Sequence, residues 1–450
     1  MKRNVNLLEG DIKKSLTALS LPLMAVSFVQ MTYNLIDMFW LGRLSTDAVA
    51  AAGTVGLFLW IANAIVLISG VGLATHLSQA YGKGDYAECK KLVKSGIQLT
   101  IIMAIIYMAI ILLFKKNMLS FYKLDQDVFK LADDYLTIMA FGFIFTFMVP
   151  VFGTYFKSMG NSQTPFRIAV ISLITNIVLD PIMIFNFKLG IKGAAYASVM
   201  AQMLAFLIYA YEGKVNDELY NDRKIFISFN KDLIKKIFKT GYPACLVSAV
   251  HALISVIMTR FISSFGSMAI AVATLGTQIE SISWMSAEGF STAMTAFMGQ
   301  NYGAKNFERL KEGYKEGLKI FILIGFSAFL LLFFAGELFY SKFLPGDTLA
   351  IAMGTTLLKI YSVSEVFMSI EIGTTGALNG LGLTKYPAIS GAILNGIRIP
   401  LALILMPIYQ ETGLWITISI SMALKGIILF IIYKILENRT NGFRQIEKVY

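Results

Sequence analysis

The sequence predicts an all-α polytopic membrane protein with twelve transmembrane helices in two pseudo-symmetric six-helix lobes. Three observations support this fold class. Charged residues make up only 15% of the 450 residues, against about 25% in soluble domains, and apolar residues make up 56%. About twelve apolar runs are long enough to cross a bilayer, and the second half of the chain repeats motifs of the first. This composition excludes disordered, collagenous, coiled-coil and ordinary soluble proteins.

The apolar runs form two sets of six, each run reaching the roughly 20 residues that a bilayer-spanning helix needs. The first set is Leu16–Leu41, Ala48–Ala80, Leu92–Phe114, Leu131–Phe156, Phe166–Phe187 and Ile191–Tyr211, and the second is Tyr242–Phe265, Ala269–Gln300, Leu318–Phe339, Ala350–Asn379, Pro387–Pro407 and Gly413–Leu436. Several runs contain Gly or Pro, which membrane helices tolerate. We therefore expect an N-terminal lobe at residues 1–212 and a C-terminal lobe at residues 240–450.

A polar segment rich in lysine, residues 213–239, separates the two sets and predicts a cytoplasmic linker. Within it, Leu233–Phe238 either lies on the membrane surface or belongs to a solvated loop. If the N-terminus is cytoplasmic, most of the 39 Lys and Arg residues fall on the cytoplasmic side. The net charge of +11 is therefore an orientation signal and does not indicate nucleic-acid binding. We expect a multi-pass protein of the cell inner (plasma) membrane with both termini in the cytoplasm.

The second half repeats the first at an interval of about 220 residues. Gln79-Ala-Tyr-Gly-Lys-Gly-Asp-Tyr corresponds to Gln300-Asn-Tyr-Gly-Ala-Lys-Asn-Phe, and Pro22 corresponds to Pro243. The other repeated positions pair Gly160 with Gly380, Asn176 with Asn395 and Pro181 with Pro400. Because each half has an even number of helices, both halves insert in the same orientation. This is the plan of a parallel-repeat transporter.

Several short motifs resemble those of the multidrug and toxic compound extrusion (MATE) family, bacterial type. They are Tyr33-Asn34-Leu-Ile-Asp37, the repeated Gln-x-Tyr-Gly turn, Met159-Gly-Asn-Ser-Gln-Thr-Pro165, Asn176-Ile-Val-Leu-Asp180-Pro181 and Arg398-Ile-Pro400. The resemblance covers essentially the whole chain. It implies an antiporter coupled to H⁺ or Na⁺ that exports hydrophobic, mostly cationic organic compounds by alternating access.

Six acidic residues lie more than three residues from either end of a predicted span, where a carboxylate costs at least about 2.5 kcal/mol and is a functional candidate. They are Asp37, Asp180, Glu280, Glu288, Glu365 and Glu371. Asp37 and Asp180 lie at similar predicted depth in the outer half of the membrane. Two carboxylates a few Å apart repel each other, so the pair is expected to hold a proton or a Na⁺ ion.

Polar neighbours strengthen this candidate. Asn176 lies one helical turn from Asp180, and Ser198 lies at a similar depth in the sixth run. The family resemblance implies that Asp37, Asn176, Asp180 and Ser198 form the cation site of the N-terminal lobe. The supporting residues are Tyr33, Asn34 and Pro181. In the repeat, Asp37 aligns with Met258 and Asp180 with Ile399, so a shared structural role would not explain the acids.

The second half offers weaker candidates. Glu280, Glu365 and His251 could line a substrate cavity, as counter-ions for cationic substrates or as a second cation site. The acids could equally pair with Arg260, Lys359 or Arg398.

Other activities lack their signatures. The two cysteines, 89 and 245, indicate no disulfide framework, and two histidines do not suggest a metal centre. There is no Gly-x-x-x-x-Gly-Lys-Ser/Thr loop for ATP and no nucleophile with partners, so we expect no cofactor and no enzyme. We expect a monomer. The alternative function is a lipid-linked oligosaccharide flippase of related architecture, which would need a cationic cavity for its pyrophosphate.

Overall fold

The computed structural model describes residues 4–216 and 229–446, and these are helical almost throughout. The first half contains α1 (Ile12–Leu44), α2 (Thr46–Gly82), α3 (Tyr86–Ser120), α4 (Gln126–Ser158), α5 (Gln163–Pro181), a π-helical turn (Ile182–Asn186) and α6 (Ile191–Asn216). The second half contains α7 (Lys231–Ser263), α8 (Ser267–Gly303), α9 (Phe307–Phe343), α10 (Thr348–Ser362), α11 (Glu365–Gly380), α12 (Lys385–Gly396), α13 (Arg398–Tyr409) and α14 (Glu411–Arg439). All twelve predicted runs fall on these helical segments.

Within the described residues, ten helices are long and apolar enough to cross a membrane, or eleven if α10 and α11 count as one span. The predicted run Ala269–Gln300 lies on α8, which has 37 residues but is not among the ten. The fold class is confirmed as an all-helical, multi-span membrane protein.

Three predicted runs contain breaks that their hydropathy does not show. The run Ala350–Asn379 divides at Val363, where α10 and α11 bend by 49°. The run Phe166–Phe187 passes from α-helix to π-helix after Pro181. The run Pro387–Pro407 divides at Ile397 into α12 and α13. A hydropathy window averages over such breaks, because the apolar composition continues through them.

The chain divides into two compact units whose limits differ from the predicted lobes. Unit 1 contains Ala25–Cys245 together with the chain up to Val5, and unit 2 contains Asn6–Met24 and Leu246–Tyr450. The first part of α1 thus belongs to unit 2, and the first part of α7 belongs to unit 1. The middle of the predicted linker lies outside the described residues.

The first turns of α7 pack against α2, so Leu233–Phe238 is helical and is not a solvated loop. Glycines permit this close approach. A Cβ on Gly72 would lie 2.1 Å from the carbonyl oxygen of Ile237, and one on Gly241 would lie 1.8 Å from that of Ile68. Replacing Gly72 or Gly241 by a larger residue would therefore force α2 and α7 apart.

Unit 1 is built around the apolar side chains of α2, α3, α4 and α6. Phe143 and Phe147 of α4 are fully buried and pack close to the ring of Tyr107, whose hydroxyl donates to the carbonyl oxygen of Phe58 at 2.7 Å. This core forms the scaffold against which the outer helices of the unit are positioned.

In unit 2, the segment before α1 is bound to the start of α9. The Arg309 guanidinium donates to the carbonyl oxygens of Leu7, Glu9 and Gly10 at 3.0, 2.9 and 2.7 Å. Asn301 donates to the Leu7 carbonyl as well, at 3.1 Å. The segment is therefore an integral part of this unit.

Candidate functional site

Three helices of unit 1 bring the predicted cation-site residues together: α1, α5 and α6. Helix α6 lies close to the π-helical turn because Gly193 has no side chain there, and a Cβ would come within 2.6 Å of the Met183 carbonyl group. Ser172 of α5 donates to the carbonyl oxygen of Ala201 at 3.2 Å. These contacts fix the position of α6, and with it Ser198.

Asp37 is held in α1 by contacts with α6. The Ser198 hydroxyl donates to Asp37 Oδ2 at 3.1 Å. One turn earlier in α1, the Tyr33 hydroxyl donates to the backbone carbonyl oxygen of Ser198 at 3.3 Å. Ser198 therefore connects the two polar residues of α1 to α6.

Asp180 and Asn176 face the same point from α5, and both are fully buried. The Asn176 amide donates to Asp180 Oδ1 at 3.3 Å. The Asp37 carboxyl lies close to both Asp180 and Asn176. The four residues predicted as a cluster are thus adjacent in the structure, although they come from three helices.

The cluster has unused acceptors. Asp37 Oδ1, Asp180 Oδ2 and Asn176 Oδ1 are buried and accept no hydrogen bond from the described residues. An ionised carboxylate cannot donate, so neither aspartate satisfies the other unless one carries a proton. Three buried oxygens and two carboxylates in one place are a donor set that suits a proton or a small cation, either of which supplies the missing positive charge.

The supporting residues differ in their placement. Tyr33 contacts the cluster as described, and Pro181 directly follows Asp180 at the junction of α5 and the π-helical turn. Asn34 is exposed, and no hydrogen bond described for this structure joins it to the cluster. Tyr135 of α4 was missed: it is buried and lies near both carboxylates. No motif marks it, because an isolated tyrosine within an apolar run is usually a packing residue.

The candidates of the second half occupy a different setting. Glu280 is 7% exposed and Glu365 is fully buried, so neither lies on a free surface. The Ser283 hydroxyl donates a hydrogen bond to Glu365 Oε2. His251 is exposed, on the side of α7 near Asn395. Both glutamates are thus covered in this structure, and their role as counter-ions for cationic substrates or as a second cation site stays a prediction.

Fixed cations accompany the buried acids of unit 2. Lys425 forms an ion pair with Glu371 at 3.0 Å, with side-chain exposures of 11% and 18%. Arg398 is buried, donates to the Ser421 hydroxyl at 3.0 Å and lies within electrostatic range of Glu280 and Glu371. Of the partners considered from the sequence, Arg398 thus lies close to the acids. This contrasts with unit 1, where the carboxylate pair has no Lys or Arg partner among the described ion pairs.

The multi-span fold and the repeat of its two halves define a membrane transporter of the parallel-repeat class. The MatE family model matches residues 22–182 and 243–404, one match in each half of the chain. The chain belongs to this family of membrane transporters, which are not enzymes.

Relatives and solved structures agree with this assignment. The chain is 25% identical over 436 residues to the probable multidrug resistance protein YoeA of Bacillus subtilis, covering 94% of each chain. It is 25% identical over 413 residues to the probable multidrug resistance protein NorM of Thermotoga maritima, covering 90% and 89%. It is 23% identical to the multidrug export protein MepA of Staphylococcus aureus, covering 96% and 95%.

Among solved structures, the MATE transporter VcmN of Vibrio cholerae superposes with a TM-score of 0.91 at 20% identity, covering 96% of this chain and 99% of that one. A MOP superfamily transporter of Pyrococcus furiosus superposes with a TM-score of 0.90 at 23% identity, covering 97% and 98%. At these identities the likeness establishes the fold.

Proposed function

We propose that this protein is an antiporter that couples inward movement of H⁺ or Na⁺ to export of hydrophobic, mostly cationic organic compounds. The observation that carries the proposal is the carboxylate pair of Asp37 and Asp180, where three buried oxygens, one of them from Asn176, accept no hydrogen bond from the described residues. The names of the relatives, which are multidrug resistance and export proteins, support the substrate class.

The pair suits reversible binding of a single positive charge. When it is empty and ionised, two carboxylates face each other in a site of low polarity, which is unfavourable. A proton or a Na⁺ ion relieves that repulsion, and Asn176 and Ser198 supply neutral polar groups beside it. Because the unit holds the pair without a lysine or arginine partner among the described contacts, the counter-charge is exchangeable and can be delivered across the membrane.

Coupling follows if ion binding and drug binding favour different conformations. Asp37 lies on the same helix as Pro22, and Asp180 is followed by Pro181 and a π-helical turn. Both prolines remove a backbone hydrogen bond and are points where a helix can bend. Ion binding between α1 and α5 then changes a bend in one of these helices and so favours one conformation. By thermodynamic linkage, the ion weakens drug binding by the same factor as the drug weakens ion binding.

The proposal includes a plasma-membrane location with both termini cytoplasmic, and a monomeric state. The distribution of Lys and Arg supports the orientation. The complete parallel repeat within one chain supports the monomer, because it already supplies both halves of a transporter.

The experiment is transport by the purified protein in liposomes, with a pH gradient and a Na⁺ gradient imposed separately. Ethidium, a permanent aromatic cation, is the probe. We expect one of the two gradients to drive ethidium against its concentration, and Asp37→Asn to abolish that driven movement. Ethidium movement that responds to neither gradient would refute the proposal.

A further inference from the structure

Helix α8 exposes polar side chains near its middle, whereas neighbouring α9 exposes mainly apolar ones between Ile322 and Phe334, with Ser327 as the exception. The exposed residues of α8 include Thr277, Gln278 and Glu288. The large exposed residues of α9 include Ile322, Leu323, Phe326, Leu330, Leu331, Phe334 and Leu338. The α9 face is suited to lipid, and the α8 face is not.

Gln278 and Glu288 indicate what the exposed face of α8 borders, whereas Thr277 does not. The Thr277 hydroxyl donates to the Ala273 carbonyl oxygen of its own helix, so lipid could cover it. Gln278 and Glu288 are exposed, and covering an amide or a carboxylate with hydrocarbon is costly. The exposed face of α8 therefore borders water, which also explains why this long helix is not apolar enough to count as a lipid-facing span.

An aromatic ring and a carboxylate lie together near the middle of this face. Trp284 and Glu288 are four residues apart, so their side chains are neighbours on one side of the helix. Trp284 is 37% exposed and Glu288 is exposed. Both residues lie near the centre of this 37-residue helix, far from either end.

The repeat indicates that the common fold does not require the polar residues Gln278 and Glu288. Gln278 aligns with Leu57, and Glu288 with Leu67 of α2. The same helix position in unit 1 is thus occupied without a carboxylate. A residue that serves only the fold of a repeated unit is expected in both copies.

We infer that Trp284 and Glu288 form a binding site for flat aromatic organic cations, a site that deepens the proposed function and rests on it. A tryptophan face attracts a cation, and the carboxylate four residues away supplies the opposite charge. The pair would repel the pyrophosphate of a lipid-linked oligosaccharide. Glu288, and not the buried Glu280 or Glu365, is the acid of unit 2 that meets the transported cation.

The test is equilibrium binding to the purified protein, measured by fluorescence anisotropy. Ethidium is the cationic probe and Nile red, an uncharged aromatic dye, is the second probe. We expect Glu288→Gln to weaken ethidium binding about tenfold, or about 1.4 kcal/mol, with Nile red binding unchanged. Trp284→Leu should weaken both, and Trp284→Phe should retain most of the ethidium affinity.

The matched control is Glu337→Gln, which removes an exposed carboxylate from α9 of the same unit and should change neither affinity. Unchanged ethidium affinity in Glu288→Gln would overturn the inferred binding site. The proposed function would still stand in that case if a gradient drives ethidium export by the wild type. Equal loss of both dyes in Glu288→Gln would also overturn it, since that result indicates altered packing. Failure of the wild type to bind or export ethidium would overturn both the inferred binding site and the proposed function.

Discussion

Replacing Asp180 by asparagine should uncouple the transporter without unfolding it. The substitution keeps the size of a fully buried side chain and keeps an oxygen for the Asn176 amide, which donates to Asp180 Oδ1 at 3.3 Å. It removes one of the two negative charges that face the ion.

The expected magnitude follows from Coulomb's law. A carboxylate about 4 Å from a monovalent cation attracts it by about 4 kcal/mol at an effective dielectric constant of about 20. Loss of that attraction weakens ion binding by about a thousandfold, since about 1.4 kcal/mol corresponds to a factor of ten. Export driven by a gradient should then fall to the level of empty liposomes.

The assay is gradient-driven ethidium transport in liposomes, with folding checked by detergent-solubilised yield and thermal unfolding. Asp134→Asn is the control, because Asp134 lies in the same unit but forms a partly exposed ion pair with Lys192 at 3.2 Å, worth at most about 1 kcal/mol. The double variant Asp37→Asn/Asp180→Asn should be little worse than either single one, because the two acids act as one site. Full ion-driven export by Asp180→Asn would refute the assignment.

Three further predictions test other parts of the molecule. A cysteine at Asp125 should react with a membrane-impermeant reagent in intact cells and one at Lys83 should not; the opposite pattern would reverse the proposed topology. Gly193→Val should reduce transport strongly, because its side chain would separate α6 from the π-helical turn, whereas wild-type transport rates would show that the close approach is dispensable. Lys425→Met should destabilise the protein by about 3–5 kcal/mol, because it leaves Glu371 without its lysine partner. Adding Glu371→Gln to Lys425→Met should recover much of that loss in thermal unfolding. No recovery in the double variant would mean that the ion pair is not the cause of the loss.

The helices could be predicted from the sequence because a bilayer demands long apolar runs, and each run is local. The break at Val363 could not, because Ser362-Val363-Ser364 contains neither Gly nor Pro, the residues that usually mark a break in a helix. That break places Glu365 in the first turn of α11, where packing against Ser283 buries it.

The candidate site was predictable to a different extent in the two halves. Asp37 and Asp180 could be paired because depth in the membrane follows from position along each helix, and their family motifs agreed. Glu280 and Glu288 both lie on α8 but on different faces: Glu280 is buried and Glu288 is exposed. Which face of a helix is covered depends on neighbours distant in sequence, and the sequence of α8 alone does not identify them.

The division of α1 at Met24 and Ala25 also bears on how the protein is made. Asn6–Met24 is synthesised among the first residues, yet its partner Arg309 is 302 positions away from Leu7. Unit 2 therefore cannot be completed until most of the chain has left the ribosome, and contacts of such long separation form slowly. If the gene were divided between the codons for residues 216 and 231, it would yield two polypeptides, and neither of them would contain a whole unit. The exchanged segments make the two halves of the gene depend on each other for assembly.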